Sequence, residues 1–187
     1  MSKMYVYGAG ETSDPRVVTE RSAIASELGA MGIEFEQWEC DAPLGPDADE
    51  ATILAAYGES VSRVKSRGGF TTADVIGLTP DHPDKGALRE KFLSEHIHSE
   101  DEVRFFIEGS GLFYLHLGEV VVGIECTQGD YLSVPANTRH WFDMGPDPAF
   151  RCIRFFTNPE GWVAKYTGDE IASNYPRYDS LEGGLAR

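Results

Sequence analysis

EHIHSEDEVRFFIEG, residues 95–109, places metal-binding residue types at the start of a β-rich region. His96 and His98 are two residues apart, so on a strand both imidazoles point to the same face. Glu102 returns a carboxylate toward the same place, and His140 follows on a later predicted strand. Three imidazoles and one carboxylate suit iron, nickel, manganese or zinc better than calcium or magnesium. The spacing therefore predicts one transition-metal site.

Around that motif, from about residue 94 to residue 157, apolar residues recur with a period near two and turn residues interrupt them. The segments VRFFI and LFYLHL flank Glu108–Gly111 and are expected to form a hairpin. Further strands are predicted at EVVVGIEC, DYLSVP, RHWFDM and FRCIRFFT. So many short strands predict a mainly β fold, a small β-barrel or jelly roll.

Residues 1–93 are predicted to add a few helices to that barrel. Thr19 is expected to cap a helix over residues 20–31, and IEFEQW after it alternates like a half-buried strand. A second helix should start near Asp47 or Asp49 and end at the RGG of residues 67–69, and a third should cover residues 84–93.

The C-terminal segment, residues 158–187, is weakly patterned and is expected on the surface or partly disordered. The sequence contains no internal repeat and no linker. The 187 residues are therefore predicted to form one domain, with residues 94–157 as the metal-binding core.

The composition excludes several classes of partner. A net charge of −15 repels phosphate backbones, so nucleic acid is not expected, although a pocket with local positive charge would still accept an anionic small molecule. No apolar run approaches the roughly 18–20 residues of a membrane helix, and the start of the chain lacks a secretory pattern. Three cysteines without a C-x-x-C spacing favour a reducing compartment, here the cytoplasm. Without a strong apolar stripe, a monomer is expected.

The two histidine segments resemble the paired motifs of the cupin superfamily. In the first, H-x-H is followed by Glu102 and then by Gly109, and in the second Gly129 and Pro135 precede His140 at the expected intervals. This resemblance implies a cupin-type barrel and a metal site on its inside.

Three positions depart from the general cupin pattern. Gly86 lies ten residues before the first histidine rather than six, Asn137 replaces a glycine, and Met144 replaces a terminal asparagine. Asparagine also tolerates left-handed backbone angles, so the turn at Asn137 can survive. The cupin resemblance therefore implies fold and metal, and leaves the chemistry open.

Longer stretches resemble the acireductone dioxygenase family of the methionine salvage pathway. They are ALREKFLSEHIHSEDEVRFFIEGSGLFYLHLG, SVPANTRHWFDMG and IRFFTNPEGWVAKYTGDEIASNYPR, with RVVTERSAIASELGAMGIEFEQWE upstream. Together they extend over nearly the whole chain. The resemblance implies four metal ligands, His96, His98, Glu102 and His140. It also implies that Arg104 favours the substrate dianion, that Glu95 takes part in metal loading, and that Asp101 relays conformational change.

The same resemblance implies the reaction and the cofactor, one Fe²⁺ or Ni²⁺ per chain. The substrate is the acireductone 1,2-dihydroxy-3-keto-5-methylthiopentene, which is cleaved with O₂. The iron form is expected to give formate and 2-keto-4-methylthiobutyrate. The nickel form is expected to give formate, carbon monoxide and 3-methylthiopropionate.

Two arginines are predicted to line the interior beside the metal. Arg104 lies two residues after Glu102, so it should face the same side of the strand. Arg154 lies two residues from both Cys152 and Phe156, so its side chain should share their inward face. Cations there would stabilise an anionic substrate. The alternative for each arginine is a surface salt bridge.

Three aromatic residues, Phe92, Phe142 and Trp162, are expected to form an apolar wall for the methylthio tail. The alternative for them is plain core packing. The turn-rich residues 158–165 are a candidate lid. Two other functions remain open at this point: another cupin enzyme, either an isomerase or a different dioxygenase, and a metal-containing binding module without turnover.

Overall fold

The computed structural model describes residues 1–158 and 163–184, without the side chains of residues 182–184. In these residues eleven strands join in one hydrogen-bonded sheet, which confirms the prediction of a mainly β fold. The strands are β1 (Lys3–Tyr7), β2 (Arg16–Val18), β3 (Glu34–Gln37), β4 (Thr72–Leu78), β5 (His96–Ile97), β6 (Glu102–Leu117), β7 (Val120–Thr127), β8 (Asp130–Val134), β9 (Arg139–Asp143), β10 (Phe150–Phe156) and β11 (Lys165–Tyr166). The helices are α1 (Arg21–Ala30), α2 (Glu50–Ala56), α3 (Gly58–Gly68), α4 (Lys85–Leu93) and α5 (Tyr178–Gly184), with a 3₁₀ turn at Ile171–Asn174.

Strand β6 is the centre of the fold and corrects the predicted hairpin. Its first half pairs with β8 and β10, its second half pairs with β7 and β9, and the chain passes through Glu108–Gly111 without turning back. Gly109 has φ +68°, and a Cβ there would lie 1.7 Å from the carbonyl oxygen of Ala149. The hairpin prediction was wrong because this glycine permits a close crossing of two strands rather than a reversal of the chain.

Strands of the N-terminal segment complete the barrel. β1 pairs with β7, β3 with β8, and β4 with β10, all antiparallel. β3 was predicted, but β1 and β4 were not. Most β4 side chains are only partly buried, so its apolar residues do not alternate cleanly.

The helices lie near their predicted places, with two corrections. Helix α1 begins after Glu20 and has no side-chain cap, so the prediction of Thr19 as its cap was wrong. The predicted second helix is two helices, α2 and α3, separated at Tyr57, where Gly58 follows and weakens helical preference. Asp49 caps α2 by accepting a hydrogen bond from the Thr52 amide at 2.8 Å. No helix in the described ranges is long and apolar enough to cross a membrane.

The described part of the C-terminal segment agrees only in part with the expectation of a surface or disordered tail: residues 165–170 are exposed, whereas part of residues 171–181 packs on the barrel. Tyr175 and Tyr178 are buried. The Tyr175 ring lies 5.0 Å from Tyr7 and 5.6 Å from Trp141, measured between ring centroids. Aromatic contacts between distant parts of the chain order this segment, and local patterning does not reveal them.

A buried carboxylate, Asp143, joins three elements at the end of β9. It accepts two hydrogen bonds from Arg89 on α4, at 2.8 and 3.0 Å. It also accepts the backbone N–H groups of Gly145 and Tyr178, at 2.9 and 3.0 Å. Burial raises the pKa of Asp143, but these hydrogen bonds outweigh burial and hold the pKa below its ordinary value.

Replacing Asp143 with Ala should lower the free energy of unfolding by about 3 kcal/mol, because Arg89 and two amides lose their acceptor in a buried place. The control is Asp147→Ala, which breaks the exposed ion pair with Lys85. Lys85 lies on α4, the helix that also carries Arg89, and this variant should change the free energy of unfolding little. Chemical denaturation measures both.

The contribution of Asp143 should also depend on pH. Because its folded pKa is depressed, the contribution is complete above the ordinary value of 3.8 and is lost as the pH falls through the folded pKa. The difference in unfolding free energy between wild type and Asp143→Ala should therefore shrink in acid. A difference that stays constant down to pH 2 would contradict this account.

Candidate metal centre

Three histidines converge on one point inside the barrel. His96 on β5 lies directly opposite His140 on β9, and His98 follows β5 at the next residue on the same face. One ring nitrogen of each lies within 4.8 Å of the others, and all three residues are buried. Three buried imidazoles at this separation form a site for a metal ion.

Backbone carbonyls orient two of the rings. Nδ1 of His96 lies 2.8 Å from the carbonyl oxygen of Ser94, and Nδ1 of His140 lies 2.8 Å from that of Thr138. Each Nδ1 is therefore assigned as the N–H donor, which leaves the Nε2 lone pair of both rings free.

Glu102, at the start of β6, brings a carboxylate to the same point. Its Oε2 lies 2.8 Å from Nε2 of His140 and 3.3 Å from Nε2 of His98. The first distance is short, yet among the described residues neither Glu102 Oε2 nor His140 Nε2 has a hydrogen-bond partner of acceptable geometry. With Nδ1 of His140 donating to a carbonyl, the two atoms present lone pairs to each other. A metal ion bound by both atoms would satisfy these buried lone pairs.

The protonation states suit that cation. Burial, followed by the neighbouring His140 ring, lowers the pKa of His96 to about 4, and burial also lowers the pKa of His98. Burial raises the pKa of Glu102, but Arg104 and the histidines outweigh it and hold the pKa well below its usual range. At neutral pH His96 and His98 are therefore neutral imidazoles and Glu102 is a carboxylate, the forms that bind metal.

Arg104 lies beside the carboxylate, in the place that strand parity predicts. Its Nε donates to Glu102 Oε1 at 2.6 Å, and its guanidinium carbon lies 4.9 Å from the Phe113 ring and 5.2 Å from the Phe142 ring. Its Nη1 is buried without a hydrogen-bond partner in the described part of the chain. Arg104 thus has the Nη1 nitrogen to offer to a ligand.

A cavity of about 430 Å³ opens onto these groups. The three histidines, Glu102 and Arg104 line one end, and Ile76, Phe92 and Phe142 supply apolar surface. The Phe92 and Phe142 rings contact each other edge to face, with their centroids 6.3 Å apart. The volume of the cavity lies within the range of about 300–1,000 Å³ that is typical of small-molecule sites. Trp162, the third predicted aromatic, lies outside the described residues, as does half of the candidate lid, residues 159–162.

The other predicted site residues take different positions. Arg154 lines the cavity, but its guanidinium also makes a two-point ion pair with Asp74, at 2.9 and 2.7 Å. Asp101 lines the cavity and accepts the Ala136 amide at 2.8 Å, which ties the two histidine-bearing loops together. Glu95 is buried and is not among the residues lining the cavity.

Glu95 has a partner that sequence reasoning missed. Its Oε2 lies 2.6 Å from Nδ1 of His116, and Thr167 donates to its Oε1 at 2.7 Å. His116 lies outside both histidine motifs, so the sequence gives no signal that it pairs with Glu95. Glu95 immediately precedes His96, so this pair supports the strand that carries the first two histidines.

Comparison with known proteins agrees with this geometry. The sequence profile of the ARD/ARD' family matches residues 3–164. A protein of Marinobacter nauticus is 56% identical over 168 residues, which cover 90% of each chain, and is called acireductone dioxygenase. A protein of Hahella chejuensis with the same name is 55% identical over 185 residues, covering 97% of this chain and 98% of the relative.

A solved structure has the same architecture. It is described as acireductone dioxygenase from Bacillus anthracis with a cadmium ion in its active centre. Its TM-score is 0.79 at 30% identity, and the match covers 89% of this chain and 98% of that one. The expectation of a cupin-type fold is confirmed.

Replacing His96 or His98 with Ala should abolish retention of metal, because each change removes a buried donor from one shared site. Metal analysis of purified protein by mass spectrometry measures this. His82→Ala is the control, since His82 lies in a loop away from the cavity. Near-stoichiometric metal in either site variant would contradict the assignment.

Proposed function

The chain belongs to the ARD/ARD' family and has the dioxygenase activity for which its relatives are named, and we propose that it cleaves 1,2-dihydroxy-3-keto-5-methylthiopentene at one divalent ion. The proposed ligands are His96, His98, Glu102 and His140. One observation carries this proposal. Unpartnered atoms of Glu102 and His140 face each other at 2.8 Å on the cavity lining, beside the unpartnered donor of Arg104.

Four protein donors leave two open positions on an octahedral ion, which an enediolate can fill by chelation. When bound, the ion supplies Lewis acidity that favours the deprotonated substrate. Imidazole and carboxylate accept either iron or nickel, so we propose Fe²⁺ or Ni²⁺ as the resident ion. The donor set does not favour one of them on geometric grounds.

Arg104 is proposed to stabilise the substrate dianion. Its free Nη1 donor lies in a buried place where a charge-assisted hydrogen bond is strong. The two phenyl rings against its guanidinium restrict its orientation, so the donor is held ready rather than ordered by the substrate. Arg154 is proposed to stabilise the substrate anion electrostatically as well, but more weakly than Arg104, because Asp74 already balances much of the charge of Arg154.

The apolar part of the cavity is proposed to hold the methylthio tail. Phe92 and Phe142 offer such a wall, and we propose that Trp162 extends it. Burying the tail there would direct the enediol oxygens toward the histidine end and exclude water from it.

Two further roles are proposed for residues outside the ligand set. Glu95 is proposed to assist metal loading through its position directly before the strand that begins at His96. Asp101 is proposed to relay conformational change, since its bond to the Ala136 amide couples the two histidine-bearing loops. Every proposed ligand comes from one chain, so a monomer suffices. A cytoplasmic location, without nucleic-acid or membrane partners, remains our proposal.

Arg104→Ala should keep the metal through the three histidines but lose most catalysis, because the dianion loses its nearest unpartnered donor and Glu102 loses the guanidinium that directs it. Anaerobic mixing with the acireductone should then give a weaker ultraviolet shift of the bound substrate than wild type gives. Arg151→Ala is the control, since Arg151 pairs with exposed Glu108 away from the cavity. An intact spectral shift with near-normal turnover would exclude this role for Arg104.

Reloading the apo-protein separately with each ion should change the products. The iron form should release formate and 2-keto-4-methylthiobutyrate, and the nickel form should release formate, carbon monoxide and 3-methylthiopropionate. Each product set contains the atoms of the substrate plus one O₂. Headspace carbon monoxide and the keto acid are measured for both forms. Identical products from two fully loaded forms would contradict metal-directed branching, and an absence of oxygen uptake would contradict the whole proposal.

A further inference from the structure

Helix α4 carries three basic residues, and they differ in their partners. Lys85 pairs with Asp147 at 2.6 Å, and Arg89 pairs with Asp143 and Asp179. Lys91, in the last turn, is exposed and makes no ion pair with any carboxylate of residues 1–158 and 163–181, whose side chains the structure describes. Of these three, only Lys91 lines the cavity.

A further cation at the cavity would help an anionic ligand to approach before it reaches the metal ion and Arg104. The chain carries a net charge of −15, so its average surface field repels anions. The charged residues lining the cavity are Lys91, Asp101, Glu102, Arg104 and Arg154. Glu102 lies 2.6 Å from Arg104, and Asp74 lies 2.7 Å from Arg154, so a carboxylate balances each arginine at short range. Lys91 has no such counter-charge in the described ranges.

Position also separates Lys91 from the reacting groups. It is exposed next to Phe92 on the cavity wall, whereas Arg104 is buried beside Glu102. A lysine on a long flexible side chain at the solvent edge acts as a mobile point charge rather than as a fixed two-point clamp. Its effect falls on how often an anion enters the cavity.

We propose that Lys91 is a specificity residue that captures the anionic enediolate at the mouth of the cavity and offsets the repulsion of the acidic surface. The proposal rests on the proposed function for the identity of the ligand. An enediol conjugated to a ketone is acidic, so the substrate arrives as an anion. A cation at the entrance raises its local concentration, which raises kcat/KM much more than kcat. Salt weakens the effect, because the Debye length shortens from about 30 Å at 0.01 M to about 8 Å at 0.15 M.

The test compares charge reversals at two lysines of α4 in the metal-loaded enzyme. Lys91→Glu and Lys85→Glu change the net charge equally. A difference between their kcat/KM values is therefore caused by the position of the charge. At low ionic strength Lys91→Glu should lower kcat/KM about tenfold and Lys91→Ala about threefold. The value of kcat should change less than twofold, and both losses should shrink at about 0.3 M salt. Lys85→Glu should stay close to wild type.

Three kinetic outcomes overturn the proposal: equal effects of the two reversals, a loss confined to kcat, or a loss of kcat/KM that salt does not reduce. A second measurement does not depend on turnover. Ascorbate, a stable enediolate anion, is titrated anaerobically into the loaded protein by calorimetry. Its Kd should rise in Lys91→Glu and not in Lys85→Glu. A Kd that is unchanged in Lys91→Glu, or no binding of ascorbate to wild type, also overturns capture by Lys91. If the Kd values follow the expected pattern but the enzyme takes up no oxygen, only the proposed reaction is contradicted.

Discussion

The buried contact between Glu102 and Arg104 is the interaction on which the site depends. A carboxylate inside a β-barrel loses its hydration, which costs several kcal/mol unless opposite charge accompanies it. Residues 102 and 104 face the same side of β6 because side chains alternate along a strand. The guanidinium therefore lies beside the carboxylate through strand geometry alone. The pair in turn keeps one carboxylate oxygen directed toward the histidines.

The histidines reach the same point through a backbone constraint. The amide of Asn137 donates to the carbonyl oxygen of His98 at 2.8 Å, and Asp101 accepts the neighbouring amide. Asn137 has φ +62°, the left-handed conformation that asparagine tolerates better than most residues. The two loops thus fix each other, so the site is assembled by main-chain hydrogen bonds in addition to any metal. The replacement of the usual cupin glycine by Asn137 preserves this turn.

The sequence predicts the metal-binding histidines well because their signal is local. Two histidines at an interval of two residues need only one strand to bring them together, and the long motifs supply the rest of the family resemblance. Gly109 shows the limit of local signals, since a glycine between two apolar runs looks the same in a hairpin and in a strand crossing. The pairs Arg154–Asp74 and His116–Glu95 join residues far apart in the chain, and no pattern near either partner announces them. The packing of Tyr175 was missed for the same reason.

Strand β6 has a consequence for how the barrel opens. Its two halves belong to different neighbours, β8 and β10 on one side of Gly109 and β7 and β9 on the other. Because both sets of neighbouring strands pair with β6, one half of the barrel cannot unfold while the other half stays folded. Local fraying can release α5 or the short β11, whereas the buried halves of β6 on either side of Glu108–Ser110 pair on both edges, so we expect their amide protons to exchange slowest. The strand that carries Glu102 and Arg104 is thus also the last to lose its structure.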